Sequence, residues 1–155
     1  ERRGVRRLTA AALARTAVDQ VNQDAAQSEG LRSRVAVMIE EVKLGKRRVD
    51  SIVLLICRED RALDLGWALA MLADVPENGV AKAVLSADPG PLAMLCKVLG
   101  VSSEAYRKIA EMRRKRLRLG DSVVMRETEQ YNALSEADAQ RAFRFLKVRR
   151  TAAAS

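Results

Sequence analysis

The sequence predicts an all-α protein of about eight helices, packed as successive antiparallel hairpins in a HEAT-like or orthogonal-bundle arrangement. Three observations carry this expectation. The chain is rich in alanine and has only 8 glycines and 3 prolines in 155 residues, so helix is the favoured local state almost throughout. Apolar residues recur at three- and four-residue spacing in segment after segment. The one β-branched apolar run, Ser51–Cys57, has no partner strand elsewhere, and a lone strand would leave its own backbone unpaired. One domain over residues 1–150 is expected, with 151–155 a frayed tail, and the chain is long enough to bury roughly two-thirds of its unfolded surface.

Val5 to about Ala26 reads as one long helix with a narrow stripe of Ala14, Ala17, Val18, Val21 and Ala25, while Arg15, Asp19 and Gln23 face outward. The small residues in that stripe suit close packing against a neighbour, and residues 1–27 are the expected dimerisation element of a homodimer. Ser28-Glu29-Gly30 is expected to end this helix. A second helix over Leu31–Leu44 then turns Leu31, Val35, Met38, Ile39 and Val42 inward, with Gly45 at its carboxyl end. Asp50 is the expected cap of a short buried helix over Ser51–Cys57. Asp60 or Arg61 opens a central helix, Ala62–Val75, whose two apolar faces carry Leu65, Leu69 and Leu72 on one side and Leu63, Trp67 and Ala70 on the other. Pro76 stops it, and a shorter helix runs from Glu77 or Asn78 to Leu85.

Asp88-Pro89-Gly90-Pro91 is the one concentrated turn signal, and Pro91 suits the first turn of a helix over Leu92–Leu99. Gly100 ends that helix, and Ser102 or Ser103 caps the next. That helix turns Tyr106, Ile109, Ala110 and Leu117 inward and closes at Gly120. Val123–Leu134 follows with Val124, a partly exposed Glu127, Tyr131 and Leu134 along its stripe. Ser135 and Asp138 cap a last helix, Glu136–Arg149, with Ala139, Ala142, Phe143 and Leu146 inward. Leu69-Ala70-Met71-Leu72 recurs as Leu92-Ala93-Met94-Leu95, a faint echo consistent with stacked hairpins or with shared composition alone.

Composition narrows the function classes. Histidine is absent, which removes the commonest general base and metal ligand. Cys57 and Cys96 lie far apart inside apolar patterns and read as buried, reduced thiols of a cytoplasmic protein. No apolar run is long enough to span a bilayer. The carboxylates, among them Asp60 and Asp64 at i, i+4, show no metal or acid–base spacing and read as solvated helix charges. No glycine-rich phosphate loop occurs. The chain is therefore expected not to be an enzyme and to hold no cofactor and no metal.

The net charge of +8 is uneven, with basic clusters at Arg2–Arg7, Lys43–Arg48, Arg107–Arg118 and Arg141–Arg150. Such clustering suits an anionic partner or simply a solvated basic surface. Leu92–Arg113 can be read as a helix-turn-helix: Cys96 and Gly100 fill the small and glycine positions, and the second helix exposes Ser103, Glu104, Arg107, Lys108, Glu111 and Arg114. The same spacing also describes an ordinary packing hairpin. The candidate binding residues on either reading are Arg107, Lys108, Arg113, Arg114, Lys115, Arg116 and Arg118, offered to DNA phosphates and bases or to an acidic protein surface. A membrane-surface role would need Tyr106, Ile109, Ala110 and Leu117 exposed, and they are better used in the core.

Gly45-Lys46-Arg47-Arg48 followed by SIVLLICREDRALDLGWALAMLADVP, and then LAMLCKVLGVSSEAYRKIAEMRRKRLR, resembles an uncharacterised alphaproteobacterial family of all-helical proteins. The resemblance covers about Val35 to Arg150. It departs at Leu65-Gly66-Trp67, where an aromatic-acidic pair is common, and in its heavier arginine and lysine load. The resemblance implies a helical, HEAT-like cytosolic module, regulatory rather than catalytic, and brings no site residue with it. It also favours the packing hairpin over the helix-turn-helix. The function expected is thus a non-catalytic interaction or regulatory module presenting a basic face to a protein partner, with DNA binding through residues 92–114 as the alternative.

Overall fold

A computed structural model describes the backbone of residues 2–154 and the side chains of residues 10–147. The fold is all-helical, with eight helices and no strand among the described residues: α1 (Arg2–Lys43), α2 (Val49–Arg58), α3 (Ala62–Ala73), α4 (Glu77–Val84), α5 (Gly90–Val98), α6 (Ser103–Leu117), α7 (Val123–Ala133) and α8 (Glu136–Ala154). The basic run Arg2–Arg7, the residues Arg149 and Arg150 and the frayed tail expected at 151–155 lie outside the described side chains.

The central helix is α3, which packs on α1, α2, α4 and α5. Its Gly66 permits the closest approach: a Cβ there would come within 3.1 Å of the Ala81 Cα on α4. Leu65 and Leu69 are fully buried, and on the second expected face Ala70 is buried and Trp67 packs against the core, whereas Leu63 is exposed. The hairpins α3–α4 and α6–α7 join helices adjacent in sequence, whereas α5 packs on α8 and α2 on α6, closing the bundle. On α8, Ala139 is buried and Phe143 half-buried, but Ala142 and Leu146 are exposed, contrary to expectation. Leu85, expected to pack, is also exposed.

The largest departure from expectation is at Ser28-Glu29-Gly30. The chain does not turn there, and α1 runs unbroken for 42 residues. A mid-helix glycine costs about 1 kcal/mol relative to alanine. Burial of Leu31, Val35 and Ile39 just beyond it contributes roughly 1.5–3 kcal/mol for each side chain, so tertiary packing overrides the local break. Ser28 is not a cap. Its hydroxyl donates to Asp64 Oδ1 at 2.6 Å, beside Arg32 Nε at 2.8 Å, while Arg61 Nε donates to Asp64 Oδ2 at 3.0 Å. Asp64 is buried and is the peg that fixes α1 to α3. It is therefore not a solvated helix charge.

Asp60 takes a left-handed conformation (φ 56°) in the turn before α3, so Asp60 and Asp64 do not share a helix face. Glycine does end α1 as expected: Gly45 (φ 74°) lets Lys46 N donate to Glu41 O and Gly45 N to Val42 O, the double bond of a Schellman turn. Arg118 (φ 53°), not Gly120, makes the corresponding turn after α6, with Leu119 N donating to Arg114 O.

Candidate interaction face

The amino end of α6 is fixed by two side chains. Ser102 Oγ accepts from Ala105 N at 3.1 Å, the expected cap. Asp50 does not cap α2; its Oδ1 accepts from Ser102 N at 2.9 Å, which ties the start of α6 to the start of α2. The inner face of α6 carries Tyr106 and Ile109. The Tyr106 ring stacks on Tyr131 of α7 with centroids 4.0 Å apart, and the Tyr131 hydroxyl donates to Val101 O. Burial, the first cause, pushes both phenols above their ordinary value, so neither titrates near neutrality.

The seven candidate residues part ways here. Arg113 is only 1% exposed. Its Nη1 donates to Val84 O at the end of α4 and its Nη2 to Glu127 Oε1 at 3.5 Å on α7. Glu127 is itself 4% exposed, not partly exposed as the sequence stripe implied. Arg113 Nε, Glu127 Oε2 and the Tyr106 hydroxyl have no hydrogen-bond partner among the described residues. Arg113 is thus an internal strut and not a surface contact.

Arg114 pairs with Asp121 at 3.2 Å and Arg116 with Asp60 at 3.4 Å, and Arg116 also bonds the Asp60 carbonyl. Arg107 and Lys108 converge on Glu111 at 3.6 and 3.4 Å. Lys115 and Arg118 are exposed and make no ion pair among the described residues. Six of the seven therefore share the outer side of the helix, but four of those already face a carboxylate. The expected exposure of Arg107, Lys108 and Glu104 holds, while Ser103, Glu111 and Arg114 are half-buried.

A cleft of about 430 Å³ runs between α2 and α6. Leu54, Cys57 and Met112 supply its apolar lining; Arg58, Lys108 and Lys115 supply cations, and Asp60 and Glu111 carboxylates. The two acids are engaged, Asp60 by Arg116 and Glu111 by Arg107 and Lys108, so the local balance is positive. Arg58, like Lys115, has no ion pair among the described residues. Desolvation by burial, with Asp60 next, raises the Cys57 thiol to about 12. It stays a neutral apolar surface, since nucleophilic thiols need the opposite shift.

Sequence reasoning missed the α2 contribution. Leu54 and Arg58 are i, i+4 on α2, and that spacing alone could have marked an outward stripe, but nothing in sequence says which face of an all-apolar helix meets α6.

Residues 1–144 match the bacterial family described as "Uncharacterised protein conserved in bacteria", DUF2336. The chain belongs to the DUF2336 family. No curated protein and no solved structure matches it. Among the described residues of this DUF2336 member, no three His, Cys, Asp or Glu side chains gather to hold a metal. No helix among them is long and apolar enough to cross a membrane.

Proposed function

We propose that this chain is a non-catalytic helical interaction module that takes an acidic, amphipathic segment of a partner protein onto the α2–α6 cleft. The observation that carries the reading is the pairing of an apolar floor (Leu54, Cys57, Met112) with Arg58 and Lys115, two cations that make no ion pair among the described residues. A helix laid across such a cleft buries one or two apolar anchors and sets carboxylates on the rim, the helix-in-groove mode of recognition. A volume of 430 Å³ sits within the roughly 300–1,000 Å³ of binding pockets generally. The HEAT-like regulatory role implied by the sequence resemblance would act through the same face. Duplex DNA is the weaker partner for it. The helix-turn-helix geometry needs α5 to brace α6, yet α5 packs mainly on α8 and α6 on α7 and α2, and Arg113 is spent inside.

The test is fluorescence anisotropy with two probes across a salt series. One is a designed helical peptide with leucines on one face and glutamates flanking them; the other is mixed-sequence duplex DNA. Wild type binds the peptide, Leu54→Ser and Lys108→Glu/Lys115→Glu each weaken it, and duplex binding stays poor. Suppose instead that duplex binding dominates, falls by about 0.9 log unit per log salt for each phosphate contacted, and ignores Leu54→Ser. The DNA reading then replaces this one. Failure to bind the peptide even at low salt removes the cleft from consideration.

A further inference from the structure

A second depression, of about 390 Å³, lies where α4, α5 and α8 meet. Helices α4 and α8 both pack on α5 but scarcely on each other, and the groove is the space left between them. Val80 of α4, Met94 and Leu95 of α5, and Phe143 and Leu146 of α8 form its walls. Gly79 and Ala83, one turn apart on α4, also line it; they add no bulk to that wall and so give the groove its depth. Leu146 is 49% exposed because it borders this open groove rather than a partner helix.

Ten of the eleven lining residues have no charged, hydroxyl or amide side chain, and the eleventh is Lys147. Lys147 is half-buried, with its ammonium 5.1 Å from the centre of the Phe143 ring. No carboxylate is among the lining residues. From Ala139 to Ser155 the sequence has five cations, Arg141, Arg144, Lys147, Arg149 and Arg150, and no Asp or Glu. The field along α8 therefore favours an anion. The groove and the cleft differ in kind: the cleft mixes cations with carboxylates, whereas the groove joins one cation to a wall that is otherwise apolar.

We propose that this groove binds a free aliphatic carboxylic acid, one apolar chain with a single acidic end. The chain lies against Met94, Leu95, Val80 and Leu146, and its carboxylate meets the Lys147 ammonium. A volume of 390 Å³ falls within the roughly 300–1,000 Å³ of small-molecule sites. The charged end is specified because a hydrogen bond between two ions is about twice as strong as one between neutral groups, so an acid gains more from Lys147 than an alcohol of the same length. The rest of the ligand must be apolar. An extended peptide would bring an N–H and a C=O at every residue, and no lining side chain except Lys147 could bond them. This inference stands independently of the α2–α6 cleft.

The experiment is a titration of the full chain, labelled at its methionine methyls, followed by NMR. Met94 lines the groove and Met112 the α2–α6 cleft, so the two methyls tell the sites apart. Decanoate shifts Met94 saturably and leaves Met112 in place, and decanol, its neutral counterpart, binds about fivefold more weakly. Lys147→Met brings decanoate down to the level of decanol. Gly79→Leu fills the groove and abolishes binding of both, while the melting curve holds because α4 gains helix propensity. Equal binding of decanoate and decanol to wild type overturns the acidic ligand. A shift confined to Met112, no shift up to the solubility limit, or decanoate binding that survives Gly79→Leu overturns the site. Co-sedimentation with anionic phospholipid vesicles that Gly79→Leu abolishes would make the source a bilayer lipid and overturn the free acid.

Discussion

Replacing Arg113 by methionine is expected to be among the most damaging single changes in the protein, although the sequence places it within a solvent-facing basic run. The guanidinium reaches Val84 O at 2.5 Å and Glu127 at 3.5 Å, and both charged side chains are nearly inaccessible. Removing one member of a buried pair leaves the other charge uncompensated, which typically costs about 3–5 kcal/mol. That is a large share of the roughly 5–15 kcal/mol available to a domain, and it corresponds to a fall in Tm of about 6–20 °C at this chain length. The double replacement Arg113→Met/Glu127→Leu removes both charges and should recover most of the loss. What remains is about 1–3 kcal/mol for the Val84 carbonyl left without its donor.

Urea denaturation of wild type, both single variants and the double variant closes the cycle. A coupling energy of at least about 2 kcal/mol is expected. If Arg113→Met costs under about 1 kcal/mol, or if the double variant is as unstable as the two singles summed, then the burial argument is wrong. The result bears on function as well. Any charge-reversal variant meant to probe anion binding must spare Arg113, or unfolding will be read as lost affinity; Lys108 and Lys115 carry no such liability.

Two further outcomes follow from the packing of α3. Asp64→Asn should destabilise the protein at neutral pH by about 2 kcal/mol, the range for hydrogen bonds to a charged acceptor discounted for two partly exposed arginines. Burial, the largest influence, would raise the Asp64 carboxyl, but the bonds from Ser28, Arg32 and Arg61 together hold it below its ordinary value of 3.8. Its contribution is therefore complete above that value and disappears as pH falls through the lower folded one. Chemical denaturation at a series of pH values should show the gap between wild type and variant closing in acid; a gap that widens there contradicts the assignment. Gly66→Ala should also destabilise. The helix-propensity gain of about 1 kcal/mol is set against overpacking of about 1–3 kcal/mol, because the contact at 3.1 Å is with the Ala81 backbone. A raised Tm would mean that α3 and α4 can separate freely.

How far the sequence could be read depends on whether a residue's role is local. Gly45, Gly100, Ser102 and Ser135 act on backbone groups within five residues, and each behaves as its position along the chain implies. Asp50, Asp64, Arg113 and Glu127 act on partners 52, 36, 29 and 14 residues away, and position along the chain misplaces each: Asp50 as a local cap, Asp64 as solvated charge, Arg113 as a partner-binding surface residue and Glu127 as partly exposed. A carboxylate at a helix start is indistinguishable in sequence from one that a distant serine and two arginines will enclose. Gly30 belongs to the same class. Its neighbours Ser28 and Glu29 compose a stop signal, and only the position of Asp64 and the α3 surface decides that the helix continues.

The same distinction reshapes the meaning of the net charge. A total of +8 suggests a broad basic surface, and the densest cluster falls on α6. In the folded chain that cluster is divided. One arginine is internal, two bridge to Asp60 and Asp121, and Arg107 and Lys108 share Glu111. A partner that recognised charge alone would have to displace carboxylates already in place, and exposed pairs return only about 0–1 kcal/mol each, so the electrostatic gain is small. A partner that also fills the apolar floor beside Leu54 and Met112 gains burial at about 25 cal/mol per Å² and needs only Arg58 and Lys115 to be unengaged. Binding on this face should therefore be less sensitive to salt than a net charge of +8 suggests, and more sensitive to Leu54 than to Arg114 or Arg116.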